Sequence, residues 1–448
     1  MPEFYNRVAN VVVLLCPKQD NQLMPTPTQA EATNVFTRIG LLSFGGPAGQ
    51  IALIHREVVD GKKWIEEKEF LHALNFCMLL PGPEAMQLAT YIGWKLHGLR
   101  GGLIAGLLFV LPGALVILAL SILYSLFGKL TLVEGLFWGV KAAVLVIVLE
   151  ALLRVAKRAL KKPIDWAIAA ASFIALFCFA LPFPLVIAVA ALIGFLNANK
   201  KPRTTEVPKS LPPFSDLIKT TAIWLVIWLV PLALINLAYG PSHVYTGLAL
   251  FFSKLSVVTF GGAYAVLSYM GQTVVEQYRW LTAPEMIDGL GLAETTPGPL
   301  ILVGQFVSFL AAAKSLNSVW AGLFASLVYL WMTFVPCFLW IFAGAPYVQH
   351  LQAMPRLSSA LSSITAAVAG VILNLAIWFG LHVLFGTVAR VSGPMPIWLP
   401  DFKAFDLAAF VLAIISAFAL LRFHVGIPKT LALAAILGVI YKLALPLI

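Results

Sequence analysis

Four short tripeptides, two cations and two carboxylates are the groups in this chain whose types and spacing could do chemistry. Phe44-Gly45-Gly46 and Pro81-Gly82-Pro83 interrupt apolar sequence in the first half, and Phe260-Gly261-Gly262 and Pro297-Gly298-Pro299 do so in the second. Such tripeptides break helices. A break inside a membrane survives only where it lines protein or water, because an unsatisfied backbone group in hydrocarbon is costly. A break also exposes a helix N-terminus, whose free N–H groups and partial positive charge hold an anion. Proline at the first turn of the following half-helix gives up an N–H that is not needed there, and glycine lets the backbone approach a ligand. Arg38 and Lys254 each stand six residues before a Phe-Gly-Gly, so two cations could meet one dianion or snorkel to headgroups. Glu84 directly follows the first Pro-Gly-Pro and Glu294 precedes the second by three residues. Carboxylates this deep in apolar sequence are proton carriers or partners of a cation. Gln87, Gln305, Thr295 and Thr296 offer neutral hydrogen bonds to an oxyanion or between helices.

The elements that must position these groups come in duplicate. Residues 36–83 recur at 252–299 with a shift of 216 and no gap, so that Trp64 falls on Trp280 and Glu69 on Glu285. Two related halves with broken helices are the sequence pattern of a secondary transporter. The chain of 448 residues is 60% apolar and 11% charged, against roughly 25% charged in soluble domains, and has several stretches near the ~20 apolar residues that span a bilayer. The expectation is an all-α polytopic membrane protein of two homologous repeats. Residues 1–33 form a lead-in, 34–197 the first repeat, 198–245 a basic linker and one extra transmembrane helix, and 246–448 the second repeat.

The net charge of +10 sits largely in short loops, at 154–162 and 200–219. Basic short loops mark the cytoplasmic side and give no sign of nucleic acid. If each broken element crosses once, each half has six spans, and with the extra helix there are about 13 spans and an inverted repeat. If the Pro-Gly-Pro elements are re-entrant, each half has five and the repeats run parallel. The first reading is preferred. The four cysteines have neither a disulfide framework nor metal spacing, and the seven histidines are dispersed. No metal site or cofactor is expected. A P-loop, a His-Glu-x-x-His and a Gly-x-Ser-x-Gly elbow are all absent from the sequence.

The stretches from Phe36 to Pro47 and from Leu80 to Trp94, with Phe260-Gly-Gly-Ala-Tyr and Thr296-Pro-Gly-Pro-Leu, resemble the chromate ion transporter (CHR) family. The resemblance covers residues 34–448 and is to the long-chain, two-domain type. It implies a multi-pass plasma (inner) membrane protein that moves chromate, commonly outward, as a resistance mechanism, with sulfate as the isosteric alternative. It carries the family's functional motifs onto Phe44, Gly45, Gly46, Pro81, Gly82, Pro83 and Gln87 and their second-half matches. A basic residue at Arg38 is implied as well. The chain departs from internal symmetry at Pro47, matched by Ala263, and at Glu84, matched by Leu300, so the halves should contribute unequally. A sulfate-type transporter, a passive channel and a membrane enzyme on a lipid phosphate are the competing readings. An enzyme would need converging acids, and the two candidates lie in opposite halves. A homodimer is an assembly open to such a protein.

Overall fold

The computed structural model describes residues 27–128, 130–198, 213–260, 262–348, 354–391, 393 and 396–444. Gly261 and most of the linker, 199–212, lie outside the described residues, as does most of the lead-in, 1–26. Apart from one short hairpin, the described secondary structure is helical, and it repeats element by element. In the first half α1 is Gln29–Leu42, α2 Gly46–His55, α3 Glu67–Cys77, α4 Glu84–Phe127, α5 Thr131–Ala159, α6 Pro163–Phe177 and α7 Phe183–Leu196. The unduplicated α8 is Phe214–Tyr239. The second half has α9 Val244–Val258, α10 Ala263–Gln272, α11 Ala283–Thr295, α12 Val303–Ser315, α13 Val319–Gly344, α14 Pro355–Leu384, α15 Leu407–Ala417 and α16 Ile427–Ala444. The match extends to single backbone angles. Lys63 and Arg279, at equivalent positions after α2 and α10, are both left-handed at φ 53° and 52°.

Helix α1 starts at Gln29, five residues before the expected Asn34, because Thr28 caps it and accepts the Glu31 N–H at 3.2 Å. A two-stranded antiparallel hairpin, β1 Val388–Arg390 with β2 Trp398–Pro400, stands between α14 and α15 as the exception to the all-α expectation. Six helices, α4, α5, α8, α13 (extended to Tyr347), α14 and α16, are long and apolar enough to cross a membrane. Their exposed leucines, valines and phenylalanines fit contact with lipid tails rather than water.

The broken elements fold back instead of running on, and here the structure departs from the single crossings behind the count of 13 spans. Glu31 at the start of α1 pairs with Lys62 beyond α2 at 2.8 Å, so both ends of the Phe-Gly-Gly element lie together. Glu69 at the start of α3 pairs with Lys95, twelve residues into α4, and the equivalent Glu285 pairs with Lys314 at the end of α12. Each Pro-Gly-Pro is therefore the tip of a helical hairpin. The chain then reverses again. His97 (φ −139°) and Gly98 (φ 60°) interrupt α4, and a Cβ on Gly93 would stand 2.3 Å from the Gly101 carbonyl, a contact impossible in a continuous helix. Asn317, left-handed at φ 46°, turns α12 into α13 in the same way, with Gly322 against Phe309. Glycines at 93, 101 and 102 let the two limbs of α4 touch backbone to backbone.

Candidate functional site

The tips meet in the middle of the molecule, and they meet crosswise. The Gly82 N–H of the first Pro-Gly-Pro donates to the Thr259 carbonyl at 2.9 Å, at the Phe-Gly-Gly break of the other half. The equivalent Gly298 N–H donates to the Ser43 carbonyl at 3.0 Å and to Ser43 Oγ at 2.9 Å. Each half thus clasps its partner's break by the same bond, which satisfies backbone groups that a break would otherwise leave bare. Gln50 on α2 reinforces one clasp, donating to the Gly298 carbonyl at 2.6 Å and to the Ser43 carbonyl at 3.3 Å. Its second-half equivalent is Val266, so the clasps differ.

A small cavity of about 20 Å³ lies between the tips, lined by residues of all four breaks, among them Pro47, Gly82, Pro83, Glu84, Gly262, Ala263, Pro299 and Leu300. Four helix starts open onto it: α2 at Gly46, α4 at Glu84, α10 at Ala263 and the 3-10 turn Leu300–Leu302 that leads into α12. None of the four has a side-chain cap. A helix start carries partial positive charge, so their convergence favours an anion, against which the Glu84 carboxyl in the lining counts. The caps are Gly45 (φ 86°), Pro83, Gly262 (φ 102°) and Pro299, all short of a polar side chain, which leaves the backbone N–H groups as the recognition surface. A cavity this size holds one water.

The sequence-derived candidates divide into three sets. Gly46, Pro81, Gly82, Pro83, Pro297, Gly298, Pro299, Phe260 and Gly262 belong to the tips, with Gly82 at φ 126° and Gly298 at φ 89°. Glu84 lines the cavity, and Gln87 is fully buried just behind it, its Nε2 donating to the Pro81 carbonyl at 2.7 Å while its Oε1 has no partner. Gln87 therefore holds the shape of the turn. Phe44 is 39% exposed at the edge of the break. The second set is close but tied elsewhere. Glu294 is buried and accepts from Tyr264 at 2.8 Å, Gln305 donates to Ala114 at 3.1 Å, and Thr295 and Thr296 bond back to their own helix. The third set stands apart. Arg38 and Lys254 are exposed on the outer faces of α1 and α9 and do not line the cavity, and Arg38 pairs with Glu57 at 3.7 Å. Glu150 pairs with Arg154, four residues on along α5, at 2.6 Å.

The sequence reading passed over three features. Ser43 and Thr259 carry the clasps, though both sit one residue before a motif. Asp288, taken for no role, is a buried acid in α11 that pairs with Lys141 of α5 at 3.1 Å and accepts from Tyr124 of α4 at 2.8 Å. Lys141 was visible as a lone charge inside the long apolar run of α5.

The comparisons with known proteins agree with the duplicated build. The Chromate transporter family model matches residues 30–195 and 246–439. A chromate transport protein of Cupriavidus metallidurans is 28% identical over 430 residues, covering 93% of this chain and 94% of that protein. A chromate transport protein of Pseudomonas aeruginosa is 30% identical, covering 75% of this chain and 77% of its own length. An uncharacterized transporter of Methanocaldococcus jannaschii is 28% identical over 78% of this chain and 83% of its own. No solved structure matches the chain. With two family regions that fall on the two structural halves and cover most of its length, this chain belongs to the chromate transporter family.

Proposed function

We propose that this protein is a secondary active transporter of tetrahedral oxyanions that carries chromate out across the plasma membrane by alternating access. The observation that carries this reading is the convergence of four uncapped helix starts on one small cavity. Partial positive charge at converging helix starts suits an oxyanion without committing to its central atom. Sulfate and chromate share charge and shape, so such a site separates them poorly. Sulfate-type transport with chromate as an incidental substrate is the second reading.

The same arrangement favours an inverted repeat with re-entrant tips. Between the hairpins of the first half and those of the second lie the second limb of α4, helix α5, the short pair α6–α7 and helix α8. Whether or not the short pair crosses, the number of crossings is odd, so the second pair of hairpins dips from the opposite face. Four crossings per half plus α8 make nine when the short pairs cross. The basic residues at 95–100, 154–162 and 219 then all fall on one face, the cytoplasmic one. Separation of the tips toward one face or the other, with the clasps as the seal, is the alternating movement. Glu84 in the lining and Glu294 beside it are the candidates to couple protons to the anion, and Arg38 and Lys254 can act at most at the approaches.

The test is labelled chromate accumulation in cells with and without the protein, repeated with excess sulfate and with a protonophore. Lower accumulation that returns to control when the gradient collapses is the expected result. Higher accumulation that sulfate competes away would make the protein a sulfate-type importer. No difference with the protein present in the membrane would overturn both.

A further inference from the structure

Resting on that transport reading, we infer that Arg158 and Arg154 of α5 form the cytoplasmic recruiting site for the dianion, ahead of the cavity between the tips. Both belong to a basic run that composition explains by membrane orientation alone. Their placement distinguishes them from the rest of that run. They lie four residues apart, one above the other on a single face of the last turns of α5. The Arg158 guanidinium rests against Met78 Sδ at 3.1 Å, on the segment that runs into Pro81-Gly82-Pro83. It is exposed and has no ion-pair partner among the described residues. Met78 stands three residues before Pro81, and Glu84 beyond that turn lines the cavity.

Arg154 makes the corresponding approach to the other half. It stands on α5, which packs along α11 of the other half, with Lys141 paired to Asp288 at 3.1 Å and Val140 and Val144 against Gly291. Glu150 holds Arg154 at 2.6 Å, and the Arg154 side chain is still 49% exposed. Two guanidiniums therefore stand on one face of a helix that touches the first Pro-Gly-Pro segment at Met78 and packs along α11 of the other half. Planar guanidinium forks match a tetrahedral dianion in bidentate fashion, which a lysine in the same run does not. A dianion arriving from the cytoplasm meets Arg158 first, because that cation is unpaired. It then passes to the helix starts as the tips part.

Initial-rate uptake of labelled chromate and labelled sulfate into everted membrane vesicles, which present the cytoplasmic face outward, tests this. Arg158→Gln and Arg154→Gln should each raise KM about tenfold, the loss of one charge-assisted hydrogen bond, with the maximal rate within about twofold of wild type. Arg158→Lys should recover only part of the affinity. Lys157→Gln removes the same charge from the same turn and should leave KM unchanged. Equilibrium binding of labelled sulfate to the purified proteins should weaken in the same order. An unchanged KM in both arginine variants, or an equal effect of Lys157→Gln, overturns the recruiting site and leaves transport standing. A wild type that neither moves nor binds either dianion overturns the transport reading and this inference together.

Discussion

Removing the charge of Lys141 should destabilise the protein more than removing the charge of Asp288, and removing both should restore most of the loss. The pair joins α5 of the first half to α11 of the second at 3.1 Å, with the Asp288 side chain 7% exposed and that of Lys141 21%. With an effective dielectric near 20, unit charges at that separation attract by about 5 kcal/mol, and the cost of desolvating both offsets much of it. The net value of the pair is therefore small, while the cost of leaving one member alone is not. In Lys141→Met the aspartate keeps only the Tyr124 hydroxyl, at 2.8 Å, against its buried charge, for a loss of about 3–5 kcal/mol. In Asp288→Asn the amide oxygen can still accept from Tyr124, and the more exposed lysine can extend toward water, for a loss of about 1–3 kcal/mol. The double variant replaces the pair by neutral groups of similar size and should lie within about 1 kcal/mol of wild type. Denaturant titration of the four proteins in detergent micelles, followed by tryptophan fluorescence, closes the cycle. Strictly additive losses, with a coupling under about 0.5 kcal/mol, would refute the claim that this pair is a unit linking the halves.

Other substitutions probe the tips. Gly113→Ala should strongly disturb the second Pro-Gly-Pro, since its Cβ would stand 2.1 Å from the Pro297 carbonyl, whereas Gly386→Ala, with its nearest neighbour at 3.6 Å, should be tolerated; folded yield and transport of the two check this. Gly82→Ala meets both strain at φ 126° and the Gln87 side chain at 2.7 Å, and should cost about 1–3 kcal/mol in the same denaturant assay. Glu84→Gln should flatten the pH dependence of transport if that carboxylate carries the proton, and an unchanged profile with Glu294→Gln altered would move the role to Glu294. Arg38→Ala breaks only a surface pair at 3.7 Å and should cost no more than about 1 kcal/mol, so transport by the folded variant isolates any direct part for Arg38, and unchanged transport removes it from the anion path.

Much of this site was legible from residue types. Phe-Gly-Gly and Pro-Gly-Pro announced where helices stop, because glycine and proline act on the backbone locally, and the structure stops its helices there. The repeat was legible because both halves kept the same breakers at the same separation. The direction of the chain after each break was not legible. Whether a broken element crosses or returns depends on which distant ends can pair, as Glu31 does with Lys62 and Glu285 with Lys314, and no local propensity encodes that. Arg38 and Lys254 were drawn to the site by their spacing from the motifs, but spacing along a helix does not say which face looks inward. The packing of α1 against α4 puts Val35, Phe36 and Ile39 inside and leaves Arg38 outside. Asp288 and Lys141 were overlooked for the opposite reason: neither has an opposite charge near it in sequence on its own helix face, and only the meeting of α5 with α11 makes them a pair.

The sequence by itself determined a duplicated membrane protein with two breaks in each half, since length, apolarity and helix-breaking residues are properties of neighbours in the chain. Only the tertiary structure decided that the four breaks form one site. The bonds that join them, Gly82 to Thr259 and Gly298 to Ser43, run between residues far apart in sequence, and their partners on the backbone carry no signature of residue type.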